Sequence, residues 1–130
     1  MLEELGPYTR NIRFTYPGVP LERLPPEGRR FVAECGATQP GGFVTADAVY
    51  AAQATEILLD AIARSDGSRA SVTRALLATH VEDGLIGDVR FDAGGDVRPR
   101  RYSVARITSE TGAVPGVGRL ADLDAIVSPP

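Results

Sequence analysis

Thr45-Ala-Asp-Ala-Val-Tyr-Ala-Ala-Gln-Ala-Thr-Glu-Ile-Leu-Leu-Asp-Ala-Ile-Ala-Arg64 is the longest uninterrupted helical pattern in the chain. It contains no Gly or Pro, and its Ala, Leu, Gln and Glu residues are strong helix formers. Thr45 stands where an N-cap is needed, and Asp47 suits the positive end of the helix dipole. Gln53, Glu56, Asp60 and Arg64 recur at helical spacing and predict a polar face. Tyr50, Ala54, Ile57, Leu58, Ala61 and Ile62 fall on the other side, where a sheet is expected to cover them. Asp60 and Arg64 make an i,i+4 pair, a minor stabiliser. The stretch supplies the backbone of a core and carries no chemistry of its own.

Upstream, Phe43-Val44 lead into this helix from a loop, Gly36 to Gly42, broken by Pro40-Gly41-Gly42. Glu27 to Glu34 form a short helix with Phe31 and Val32 inward, and Pro26 sits before or at its first turn, where a missing N–H is harmless. Val19 to Pro26 holds three prolines and reads as an extended loop. Before it, Ile12, Phe14 and Tyr16 alternate with Arg13 and Thr15, the period of a half-buried strand ended by Pro17-Gly18. Downstream, Asp66-Gly67 stop the long helix and Ser68 caps the next, Arg69 to about Thr79, with Val72, Ala75, Leu76 and Thr79 inward. Leu85 to Phe91 reads as a strand, Asp92 to Asp96 as a turn and Arg101 to Thr108 as a second strand. Together they predict an antiparallel hairpin. The tail, 113–130, reads as partly flexible, with strand character at Ala125-Ile126-Val127.

A chain of 130 residues fits one domain with an ordinary core. With 43% hydrophobic and 24% charged residues its composition is that of a soluble globular protein. A net charge of −3 and the lack of a basic stripe argue against a nucleic-acid partner. Arg98, Arg100 and Arg101 form the densest basic patch and read as a solvated strand end. Cys35 is the only cysteine, which excludes an internal disulfide. No apolar run reaches the ~18 residues of a membrane span. The acidic start, Met-Leu-Glu-Glu-Leu-Gly, lacks the basic and apolar regions of a signal peptide.

Chemistry is hard to place. A Ser/His/Asp triad would need His80, the only histidine, which falls near a predicted helix C-terminus where the dipole favours its charged form. The acid pairs Glu3-Glu4 and Glu82-Asp83 lack an apolar pocket to split their pKa values. One His and one Cys far apart do not make a metal site. Asp92-Ala-Gly-Gly-Asp96 has neither the spacing nor the terminal Glu of a calcium loop. Gly112 to Gly118 lacks a P-loop lysine. No catalytic residue, metal ligand or cofactor is assigned, and the expectation is a protein that is not an enzyme.

The segment Phe43 to Thr108 resembles the type I periplasmic solute-binding proteins, and within them the branched-chain amino-acid receptors of ABC importers. Asp47 to Gly67 is similar to the helix after the last hinge crossing in that family, and Ser68 to Leu76 to the helix that follows. Asp83-Gly-Leu-Ile-Gly-Asp-Val-Arg-Phe-Asp92 with Gly94-Gly-Asp96 matches the family's G-x-x-G-x-x-x-F-D-x-x-G-D hairpin. Ile12-Arg-Phe-Thr-Tyr-Pro-Gly18 and Gly28-Arg-Arg-Phe31 resemble the strand and following helix of its C-terminal lobe. Each piece is weak alone, and their succession is specific.

What the resemblance implies is an α/β fold: a partial Rossmann-like C-terminal lobe with about three helices, a short strand, a C-terminal antiparallel hairpin and a flexible tail. Residues 1–130 would be a single incomplete domain, since such receptors have two lobes and this chain resembles only their last third. The implied function is a non-catalytic ligand-binding lobe of an extracellular receptor, with a small-molecule ligand and an ABC permease as the parent's partners and an extracytoplasmic location. A ligand-sensing regulatory domain on the same fold is the alternative. By the same resemblance Arg10, Tyr16, Phe43 and Thr45 are the ligand-binding candidates. Relatives that hold an α-amino group often carry an acid where this chain has Arg10-Asn11, which favours a carboxylate or other anion here. The missing sheet would leave the apolar face of the long helix uncovered, so self-association is expected.

Overall fold

Residues 12–107 and 121–128 are described by a computed structural model of the chain, apart from the side chains at 107 and 121–123. In chain order the elements are β1 (Arg13–Pro17), a 3-10 turn (Leu21–Arg23), α1 (Pro26–Thr38), a second 3-10 turn (Pro40–Gly42), α2 (Ala46–Ala63) and α3 (Arg69–Leu77). The strands β2 (His80–Gly84), β3 (Gly87–Phe91), β4 (Val97–Arg98), β5 (Tyr102–Ile107) and β6 (Ala121–Val127) follow. The fold is mixed α/β with three α-helices, and every strand pairing among the described residues is antiparallel. Two compact units result: Met1–Val19 with Arg100–Pro130, and Pro20–Pro99 between them in sequence.

The Pro20–Pro99 unit holds the helices. The long helix forms where its composition demands, and the Thr45 hydroxyl accepts from the Ala48 amide at 3.3 Å. At its far end Arg64 donates to Asp60, to the Thr79 hydroxyl at 2.9 Å and to the Ala75 carbonyl at 3.3 Å. One side chain thus ties α2 to the end of α3 and occupies a carbonyl, that of Ala75, which the helix terminus leaves open. Ser68 caps α3 by accepting from Ser71 N. α1 starts with Pro26 at N1 and runs to Thr38, so Gly36 to Thr38 are helical and the expected loop begins later. Gly36 is tolerated because a Cβ there would lie 3.0 Å from the Gly42 carbonyl oxygen, against which α1 presses.

The buried stripe of α2 is Val49, Gln53, Ile57 and Ala61. Gln53, expected on the polar face, is therefore inside, and Leu58 and Ile62, expected inside, are 44% and 46% exposed. The reason is the hairpin that packs on α2. Gly84 leaves room for the Gln53 amide, and a Cβ at Gly84 would collide with Gln53 Oε1. Gln53 Nε2 donates to Glu56 at 3.2 Å, while Oε1 is buried without a hydrogen-bond partner.

That hairpin is β2 with β3, closed by Leu85-Ile86, so the strand expected from Leu85 begins only at Gly87: Gly84 pairs with Gly87 and Val81 with Val89. Gly87, at φ 90, supplies the left-handed backbone the turn needs. α1 packs on the turn so closely that a Cβ on Gly28 would overlap the Leu85 carbonyl oxygen. His80 accordingly opens β2 opposite Arg90 instead of closing a helix. The Asp92–Asp96 turn is present, but it joins β3 to the short β4. The expected pairing of Leu85–Phe91 with Arg101–Thr108 does not occur, because β5 belongs to the other sheet.

In the first unit β5 lies between β1 and β6. Gly18, at φ 90, turns the chain out of β1, and its carbonyl accepts from the fully buried Ser103 hydroxyl at 2.8 Å. Arg13 and Arg106 stand directly opposite in the β1–β5 register, a repulsive cross-strand pair. A bulge relieves it. β6 carries one extra residue, Asp124, between its partners of Val104 and Ala105, and that carboxylate reaches Arg13 at 2.7 Å and Arg106 at 3.5 Å. Ala125 to Val127 are strand, as expected, and residues 108–120, 129 and 130 of the tail lie outside the described residues.

Candidate functional site

Three of the four expected ligand contacts are described, and they fall in two units. Tyr16 is in β1, half-buried, with its ring centroid 6.1 Å from that of Phe14 two residues earlier on the same strand face. In register it faces Ser103, whose hydroxyl is committed to Gly18. The phenol of Tyr16 is thus set on a strand fixed by sheet hydrogen bonds and by the Gly18 turn.

Phe43 and Thr45 sit together in the other unit, on the entry to α2. Phe43 has extended backbone after the Pro40–Gly42 turn and is 54% exposed, while the neighbouring Val44 is buried at 7% and anchors the segment. A large aromatic that is more than half exposed on an anchored backbone offers an apolar surface. Thr45 is exposed, and its hydroxyl oxygen is occupied by the Ala48 amide, so the cap accounts for that residue whatever else it does. Arg10 lies outside the described residues. The structure brings Phe43 and Thr45 together and places Tyr16 in the unit with β1.

The charged features are equally specific in place. The Arg13–Asp124–Arg106 cluster puts two guanidinium groups and one carboxylate on the β1–β5–β6 sheet. Sequence reasoning passed over it, since its members are far apart in the chain and only the bulge at Asp124 joins them. Asp92 is the centre of the β3–β4 turn: Oδ1 accepts from Gly94 N at 2.9 Å and Asp96 N at 3.0 Å, and Oδ2 from Arg98 Nε at 3.0 Å. The Asp96 amide first, and then Arg98, hold its carboxyl below the usual carboxylate range. Asp66 is held low in the same way, chiefly by hydrogen bonds from Ser68 at the start of α3. Both acids shape turns.

Cys35 is half-buried in α1 and His80 exposed on β2. Among the described residues no group of three or more His, Cys, Asp or Glu is placed to hold a metal ion. What the arrangement offers chemically is contact: an exposed aromatic, a half-buried phenol and a paired set of arginines, each on fixed backbone.

No protein-family model matches the chain, and no curated protein matches it. Among solved structures the chain is similar to a leucine-binding protein, LivK, from Thermotoga maritima, with 22% sequence identity and a TM-score of 0.69. The match covers 98% of this chain and 35% of that one, so the chain spans about a third of the length of the protein it resembles. At this identity the likeness shows the fold: the chain has the α/β architecture of part of a type I periplasmic solute-binding protein.

Proposed function

We propose that this chain is a C-terminal lobe portion of an extracytoplasmic solute receptor for an ABC importer, a single incomplete domain that binds its ligand without transforming it. The observation that carries the reading is the match to the leucine-binding protein over 98% of the chain. Arg10, Tyr16, Phe43 and Thr45 are the proposed contacts, and Arg10 in place of an acid favours a small polar or anionic metabolite over an α-amino group. An ABC permease is the proposed partner of the whole receptor, and copies of the isolated chain associate with one another.

Alone, the chain supplies a minority of the contacts that a solute buried between two lobes requires. Calorimetry on the isolated chain is therefore expected to show no binding of leucine or small carboxylates, and micromolar affinity for leucine overturns that. The reading itself is tested by grafting the chain in place of the matching third of the Thermotoga protein. Tyr16→Ala and Phe43→Ala in that chimera should each weaken ligand binding by about tenfold or more, equivalent to about 1.4 kcal/mol. A folded chimera whose affinity is indifferent to both substitutions removes these residues from the site.

A further inference from the structure

We propose that the outward face of the β2–β3–β4 sheet carries a binding site for a phosphate group, held by Arg90 and Arg98 with His80 at its side. None of the three is among the proposed solute contacts, and all lie within the Pro20–Pro99 unit.

The register puts the three side chains in one row. His80 pairs with Arg90 and Arg90 with Arg98 across successive antiparallel strands. Residues directly opposite share a sheet face, and strands lie about 4.8 Å apart, so one imidazole and two guanidinium side chains spring from backbone within about 10 Å. The other face holds Val81 opposite Val89 and Phe91 opposite Val97, with Val89 buried. His80 and Arg90 are exposed, and Arg98 is half-buried.

Like charges directly opposite on neighbouring strands are destabilising. The chain meets the same arrangement at Arg13 and Arg106 with Asp124, whose carboxylate reaches both. On the β2–β3–β4 sheet the compensation is partial. Asp92 pairs with Arg98 at 3.0 Å, while Arg90 has neither an ion pair nor a side-chain hydrogen bond among the described residues. Glu82 and Asp88 lie two residues along from His80 and Arg90, and Asp88 Oδ1 accepts from the Asp83 amide at 3.2 Å near the hairpin end. The row keeps one uncompensated guanidinium.

The chemistry of the row selects a tetrahedral oxyanion. Asp92 takes the Nε–H of Arg98, and its other oxygen accepts from the Gly94 and Asp96 amides, which fixes the guanidinium and leaves its terminal Nη groups for a second acceptor. A guanidinium already held in place loses little freedom on binding. A carboxylate has two oxygens and is satisfied by a single guanidinium fork. A phosphate has oxygens enough to bridge two forks on adjacent strands and to accept from an imidazole N–H. The ligand chemistry is thus a phosphate group, free or as a monoester. On an exposed sheet face its dissociation constant is on the order of 1 mM at low ionic strength.

An amide NMR titration of the full chain with inorganic phosphate, and in a second arm with methyl phosphate, is the test. Acetate and chloride at matched ionic strength are the controls. Saturable shifts centred on β3 and β4 are expected from both phosphates. Tighter binding of the ester assigns the site to phosphorylated ligands, and equal or weaker binding assigns it to the free ion. Arg90→Gln should weaken binding about tenfold or more. Since Arg90 has no partner to lose, the same variant should melt at a higher temperature than wild type without phosphate and gain nothing when phosphate is added. Arg13→Gln, in the other sheet, should leave the affinity unchanged. Shifts that do not saturate, the same shifts from acetate, or an affinity indifferent to Arg90→Gln overturns the proposal. Solute binding by the chimera is measured separately, so this site and the receptor reading fail independently.

Discussion

At the residue scale, two side-chain positions show how closely the hairpin is fitted to the helices. Gly28 admits no Cβ against Leu85, so Gly28→Ala should destabilise the Pro20–Pro99 unit by about 1–3 kcal/mol, read as a lowered urea midpoint. No change in midpoint would mean that α1 and the turn are less tightly apposed. Gln53 presents the opposite case, a buried amide with one oxygen unpartnered. Gln53→Met keeps the volume and removes the orphan acceptor, and a gain of about 1 kcal/mol is expected. A loss of that size would show that the amide has a role its contacts do not display. Neither position was legible in the sequence. Gln53 falls at the spacing of Glu56 and Asp60, and only the missing Cβ of Gly84 makes its burial possible.

Asp92 adds a pH dependence. Its carboxyl is held below the usual range in the folded chain, so its contribution is present above the ordinary carboxylate pKa and is lost as pH falls through the depressed value, below about pH 4. Asp92→Ala should therefore lower the melting temperature at pH 7 and flatten its decline in acid. Asp92→Asn, which keeps the Oδ1 acceptor and loses the Arg98 ion pair, should fall between variant and wild type. A melting profile unchanged in either variant would remove Asp92 from the turn's stability.

At the element scale, the helices are legible in the sequence and the strand partners are not, for a physical reason. Helix signals are local: Thr45 and Ser68 were visible as caps and Pro26 as a first-turn proline, and all three act so. Strand pairing depends on residues far apart. Val81, at half-buried exposure between polar neighbours, gave β2 no periodic signal, and Tyr102, Val104 and Ile107 marked β5 without saying that its partners are β1 and β6. The candidate site was legible only through resemblance, since an exposed Phe43 and a half-buried Tyr16 carry no motif. The Arg13–Asp124–Arg106 cluster is the strongest case of a non-local feature. Asp124→Ala leaves two arginines opposed on adjacent strands and should destabilise the sheet by about 1 kcal/mol at low salt, less as salt screens it. Equal stability of variant and wild type at low salt would show that the bulge places no useful charge there.

At the scale of the whole molecule, the described residues hold no group of three or more His, Cys, Asp or Glu placed to bind a metal ion. Three helices and two small antiparallel sheets match, in fold, about a third of a longer leucine-binding protein. The most direct test is a calorimetric titration of the chimera in which this chain replaces the matching third of the Thermotoga leucine-binding protein. Saturable, one-site binding of a small polar or anionic solute by the folded chimera, against silence from the isolated chain, is the predicted result. A folded chimera that binds neither leucine nor any small carboxylate or related anion would contradict it.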